Sequence, residues 1–147
     1  MNGGRKTSWV LPWDQEVDLQ WQPHTRNRIS PRAARMSQAE LVTALRELLG
    51  AKLVAYLGRV KETRAVRQWA DGTRTIGNDT DVERLRIAFR AARLITARGT
   101  PAVAQAWFQG LNPIFDDRAP ALLLREGELA DIGPQVLAAA RQFAAVG

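Results

Sequence analysis

The chain has 147 residues, 46% of them hydrophobic and 24% charged, with 21 Lys/Arg against 15 Asp/Glu for a formal net charge of +6. That balance fits one globular domain, or two small helical modules sharing a core, and no apolar run is long enough to cross a bilayer. With no cysteine and a single histidine, His24, disulfides, zinc ribbons, thiolate catalysis and most transition-metal sites are excluded.

The charge is uneven. Residues 1–98 hold 18 Lys/Arg against 10 Asp/Glu, a net +8, whereas residues 99–147 hold 3 against 5, a net −2. A basic front and a mildly acidic back suggest two different partners. Only Lys6, Lys52 and Lys61 of the basic residues are lysines. Arginine suits bidentate contacts to phosphates and base edges, and GC-rich coding bias would give the same excess.

Residues 1–37 read as an arm: Pro12, Pro23 and Pro31 interrupt it and no helical period runs through it. It nevertheless carries Trp9, Trp13 and Trp21, and Val17, Leu19 and Trp21 alternate with Glu16, Asp18 and Gln20 in a short strand-like pattern. Large aromatics seek a surface, so the arm is expected to dock on its own domain, a second copy or a partner; a disordered tail is the alternative. The basic start, Met-Asn-Gly-Gly-Arg-Lys, is followed by no apolar h-region, so a cytoplasmic location without membrane contact is expected.

The first helix is predicted at Ser37-Gln38-Ala39-Glu40, a capping box, with Leu41, Ala44, Leu45, Leu48 and Leu49 on one face and Gly50 at its end. A short helix over Ala51–Leu57 closes at Gly58, and a third over 63–70 stops at Asp71-Gly72. In the third, Val66 and Trp69 point inward while Arg64, Arg67 and Gln68 lie outside. A capping box at Thr80-Asp81-Val82-Glu83 is expected to open the longest helix, to about 98. Val82, Leu85, Ala88, Phe89, Ala92 and Ile95 form its core face, and Arg86, Arg90 and Arg93 a separate stripe. Thr100-Pro101 starts the next helix in N-cap/N1 order, carrying Trp107 near its end. Gly110-Leu111-Asn112-Pro113 is a turn, a brief helix over about 119–125 must bury Leu122, Leu123 and Leu124, and a last helix runs over about 131–145. The fold class is all-α: a helix-turn-helix-containing bundle over 38–98 followed by a small helical domain over 99–147.

The second and third helices with their glycine-containing turn suggest helix-turn-helix. The third helix buries a narrow face, freeing Arg64, Arg67 and Gln68 to enter a major groove. Arg59, Lys61 and Thr63 in the turn, with Arg74 beyond, could hold phosphates. The connection is longer than in common repressor motifs, and a plain three-helix bundle with a solvated basic face is the alternative. Nothing points to catalysis. Asp116-Asp117 are neighbours in a loop and point apart, and no phosphate-binding or dinucleotide glycine pattern occurs, so no enzyme, metal or cofactor is expected.

One segment is specific: Ala106-Trp107-Phe108-Gln109-Gly110-Leu111-Asn112-Pro113, then Arg118-Ala119-Pro120-Ala121-Leu122-Leu123-Leu124-Arg125-Glu126-Gly127. It resembles the toxin-binding domain of Xre/MbcA/ParS-type antitoxins, which carry a Trp at a helix end, Asn-Pro, Arg-x-Pro-x-x-Leu-Leu, a Gly and a final helix. The matching residues are Trp107, Asn112, Pro113, Pro120, Leu123, Leu124 and Gly127. The likeness extends less sharply back to about residue 38, so it covers roughly three quarters of the chain and leaves the arm unmatched; the long turn after Gly58 departs from the pattern. The resemblance implies a partner, a RES-domain toxin that consumes NAD. It also implies neutralisation by lodging C-terminal residues, here Phe143, Ala144, Ala145, Val146 and Gly147, in the toxin's cleft. A homodimer that binds operator DNA and represses its own operon is implied as well. The rival readings are a stand-alone transcriptional regulator, whose C-terminal block only dimerises, and an interaction adaptor with a merely solvated basic face.

Overall fold

The chain enters its first helix through reciprocal hydrogen bonds. The Ser37 hydroxyl accepts the Glu40 amide at 3.1 Å, and the Glu40 carboxylate accepts the Ser37 amide at 2.9 Å, satisfying two donors that a helix start leaves open. The computed structural model describes residues 36–146. The tryptophans, the strand-like segment and the histidine of the arm lie outside the described residues, as does Gly147.

Seven α-helices follow: α1 (Gln38–Leu49), α2 (Ala51–Leu57), α3 (Thr63–Asp71), α4 (Asp79–Thr96), α5 (Pro101–Gln109), α6 (Pro120–Glu126) and α7 (Leu129–Val146), with one 3-10 turn at Pro113–Phe115. The described residues contain no strand, so the all-α class holds. None of these helices is long and apolar enough to cross a membrane.

Helix α4 is the axis of the bundle, packed against α7, α1, α5, α2 and α6. Leu41 and Leu45 of α1, Val54 and Leu57 of α2, Leu85 and Ala88 of α4, Phe108 of α5, Leu124 of α6 and Val136 of α7 are wholly excluded from solvent. They belong to one cluster of buried side chains, so the helices on either side of residue 98 share a core. Helix α3 packs on α1 and α2 at the flank of this core, which leaves its far side open.

Four details depart from the sequence reading. First, the expected capping box at Thr80 does not open α4. Asn78 does, its side chain accepting the Asp81 amide at 2.8 Å. Ile76, two residues upstream, is buried and donates its amide to Gln38 Oε1 at 3.0 Å, which fixes the chain early enough for Asn78 to cap. Second, the arginine stripe of α4 is not a solvated edge. Arg90 is buried, Arg86 donates to the Met36 carbonyl at 3.3 Å, and the Arg93 guanidinium lies 5.7 Å from the Phe89 ring centre. Third, Leu122 is only half-buried between the enclosed Ala121 and Leu123. Fourth, α7 starts at Leu129, before the expected 131, and keeps Pro134 inside.

Candidate functional site

The basic surface is built on the joint between α2 and α3. Helix α2 ends when the Arg59 amide donates to Tyr56 O at 3.2 Å and the Val60 amide to Ala55 O at 3.0 Å, a Schellman turn. Its left-handed position, at φ 63°, is held by Arg59, whereas α3 ends in a similar turn with Gly72 at φ 80°. The conformation costs a non-glycine residue about 1–2 kcal/mol. Half-buried Val60 packs back onto the core and completes the motif.

Gly58 precedes that turn and sits against the indole of Trp69. A Cβ at Gly58 would lie 2.7 and 2.8 Å from Trp69 Cζ3 and Cη2. Only glycine allows α3 this close to α2. The Trp69 ring is held by shape, since its buried Nε1–H finds no acceptor. Gly58→Ala is therefore expected to lower stability by about 1–3 kcal/mol through overpacking. A urea titration followed by tryptophan fluorescence would measure this, and a change within a few tenths of a kcal/mol would mean that the ring yields freely.

With Ala65, Val66 and Trp69 buried, α3 turns Thr63, Arg64 and Arg67 to solvent and leaves Gln68 half-exposed. Lys61, Arg64 and Arg74 line one cleft with Val60, Glu62 and Ala65. Arg59 and Arg67 are exposed outside that cleft; Arg67 follows Arg64 at i+3, hence on the same helix side. Glu62, the N-cap of α3, makes no side-chain capping bond and puts one acidic residue among these cations. The seven residues expected to meet DNA thus share the α2–α3 joint and the open side of α3. Three of the cations converge.

Two arginines tie this joint to the C-terminal block, and the sequence reading identified neither. Arg84 of α4, only 2% exposed, donates through Nε to Leu124 O of α6 at 2.9 Å and through Nη1 to Leu57 O of α2 at 3.4 Å. It also meets Asp81 Oδ1 at 2.6 Å. Arg125 of α6 donates to Tyr56 O at 2.6 Å and lies 4.7 Å from the centre of the Tyr56 ring. The last carbonyls of α2 are thus held by side chains from α4 and α6.

The second surface lies where α5 and α7 end. Thr100 caps α5, accepting the Val103 amide at 3.2 Å, and Pro101 occupies its first position. Trp107 meets Phe108 edge-on at 5.2 Å and Phe143 of α7 at 6.3 Å between ring centres. Asn112 caps the 3-10 turn that Pro113 begins, and Pro120, buried, begins α6. Leu123 and Leu124 are enclosed in the core. Gly127 makes room for α7: a Cβ there would lie 2.5 Å from Ile132 Cγ1 and 2.7 Å from Leu123 O. These seven motif residues stand as fold positions.

In the last turn of α7, Phe143 rests on Trp107 yet stays 37% exposed, Ala144 is half-buried, and Ala145 and Val146 are exposed, Val146 by 82%. Leu111, 75% exposed, follows Trp107 by four residues, and Ile114, 59% exposed, stands in the turn beyond. Neither signalled itself in the sequence, where an apolar letter in a turn reads as buried. Among the described residues no three His, Cys, Asp or Glu side chains gather as a metal site. Comparison of the chain with family models, with curated proteins and with solved structures finds no match.

Proposed function

We propose that this chain is a cytoplasmic antitoxin that neutralises a RES-domain, NAD-consuming toxin through the last turn of α7 and represses its own operon through α3. The observation that carries the reading is the exposed apolar tip of α7, with Phe143 braced on Trp107 and Val146 standing in solvent. A helix end held by an aromatic brace is stiff, so it loses less conformational entropy on entering a cavity than a loose segment would. The resemblance of the segment from Trp107 to Gly127 to antitoxins of the Xre/MbcA/ParS type supplies the nature of the partner. Exposed arginines on the open side of α3 supply the second half of the reading. A homodimer belongs to it, because one nine-residue helix gives weak binding and two half-sites multiply it.

The test is co-expression with the adjacent reading frame, scoring growth and cellular NAD. The full chain is expected to restore both. A chain lacking 144–147 is expected to restore neither while keeping the circular dichroism and melting temperature of the parent, because those side chains contribute little to the core. Restoration by the shortened chain would retire the role of the helix tip. A neighbour that harms nothing when expressed alone would favour the stand-alone regulator, which the cations of α3 serve equally well.

A further inference from the structure

The turn between α5 and α6 is held by a dense set of hydrogen bonds around one residue. Asn112 Oδ1 accepts the Ile114 amide at 3.0 Å, its carbonyl accepts the amides of Phe115 and Asp117, both at 2.9 Å, and its own amide donates to Arg118 O at 3.3 Å. The Arg118 side chain donates back to Phe115 O at 2.9 Å. Asp116 and Asp117 follow one another in the left-handed region, at φ 57° and 61°, a strained arrangement for two L residues. Phe115 is driven into the core. The fold needs Phe115 there; it has no use for Leu111 and Ile114, which the same turn holds out in solvent.

Single exposed apolar side chains are ordinary, whereas a connected set marks an interaction surface. Here the set is connected. Val146 stands at i+3 from Phe143, Phe143 touches Trp107, and Leu111 follows Trp107 one helical turn on, with Ile114 next to it in the Asn112 turn. Asp116, 93% exposed, and Asp117 edge the far end.

The geometry points to Leu111 and Ile114 as a second anchor for the protein partner, seated in an apolar hollow edged by Arg or Lys on that partner. The inference rests on the partner-binding reading and extends its site from the tip of α7 to the Asn112 turn. Charge selects the occupant. Two copies of this chain pairing through the turn would bring four aspartates around one apolar contact, with only Arg118 of each copy to offset them. A different chain with a cationic rim would gain from the same aspartates. The hydrogen-bonded turn is set in one shape before docking, so the contact loses little to ordering.

The experiment measures binding of the purified product of the adjacent reading frame to the full chain and to three variants by calorimetry or biolayer interferometry. Leu111→Ser with Ile114→Ser is expected to weaken affinity roughly 30-fold or more, as loss of a central apolar anchor does. Both side chains are exposed, and an unchanged melting temperature checks that the fold is kept. Asp116→Asn with Asp117→Asn, which tolerates the left-handed backbone, is expected to slow association and flatten its salt dependence. Phe143→Ser probes the helix tip separately. Unchanged affinity of the Leu111/Ile114 variant alongside a weakened Phe143→Ser overturns the second anchor and leaves the antitoxin reading standing. No binding by the unmodified chain overturns both. A dimer of the chain alone that dissociates on the Leu111/Ile114 substitution would assign the surface to a second copy and also overturn the inference.

Discussion

Arg84→Met is expected to destabilise the protein by about 3–5 kcal/mol, the range for breaking a buried ion pair from one side. The side chain is 2% exposed, and its charge is justified only by what surrounds it: Leu124 O, Leu57 O and the Asp81 carboxylate, itself 18% exposed. Two of these acceptors are carbonyls at the ends of α2 and α6, where a helix has no further amides to offer. One guanidinium answers both, and its positive charge suits the negative ends of both helix dipoles. Methionine would fill the volume and leave two carbonyls and a half-buried carboxylate without their donor. Arg84→Lys keeps the charge but not the fork, so an intermediate loss is expected. Adding Asp81→Ala to Arg84→Met should recover part of the loss by removing the orphaned charge. Urea unfolding of the four proteins decides it; a loss below about 1 kcal/mol for Arg84→Met would mean that water enters and replaces the guanidinium. The strain should also reach α3, since Leu57 is the last residue of α2 before the joint.

That Arg84 matters could not be read from its neighbours in sequence. Its partners Leu57 and Leu124 are separated from it by 27 and 40 positions, and periodicity only places it on a long amphipathic helix. Local signals fared better where the physics is local. The Ser37 box, the Thr100-Pro101 start, Gly72 as a left-handed stop, and Val66 and Trp69 as the buried side of α3 are each set within one turn of chain. At the start of α4 two N-cap signals overlap, Asn78 with Asp81 and Thr80 with Glu83. The choice between them is made by the distant Gln38, through its bond to Ile76. The cations of the α2–α3 joint were legible because exposed charge follows from the helix period. The Arg118–Asp116 and Asn112 contacts that hold Leu111 and Ile114 outward were not, since a left-handed pair of aspartates leaves no periodic mark.

Arg64→Ala with Arg67→Ala is expected to abolish sequence preference for DNA drawn from upstream of the chain's own gene. It should weaken binding about 100-fold or more, from roughly 1–3 kcal/mol for each base-edge contact. Both residues lie on the open side of α3, exposed and one turn apart, the spacing at which two side chains of a groove-seated helix reach neighbouring base pairs. Lys61 and Arg74, which line the cleft beside Arg64, stand at the helix flank, where the backbone of the duplex would pass. Lys61→Ala or Arg74→Ala should weaken specific and random-sequence DNA alike and reduce the slope of log affinity against log salt by about one per removed contact. The contrast between these two patterns carries the test. If all four substitutions only shallow the salt slope, the surface is a nonspecific cationic face. If none alters a gel shift with either DNA, the arginines are solvated and α3 serves the bundle alone. Glu62, placed in the same cleft, gives an internal control. Its replacement by Gln removes a negative charge that faces phosphates in the groove-seated arrangement, so affinity should rise for both DNAs with the base preference of Arg64 and Arg67 unchanged.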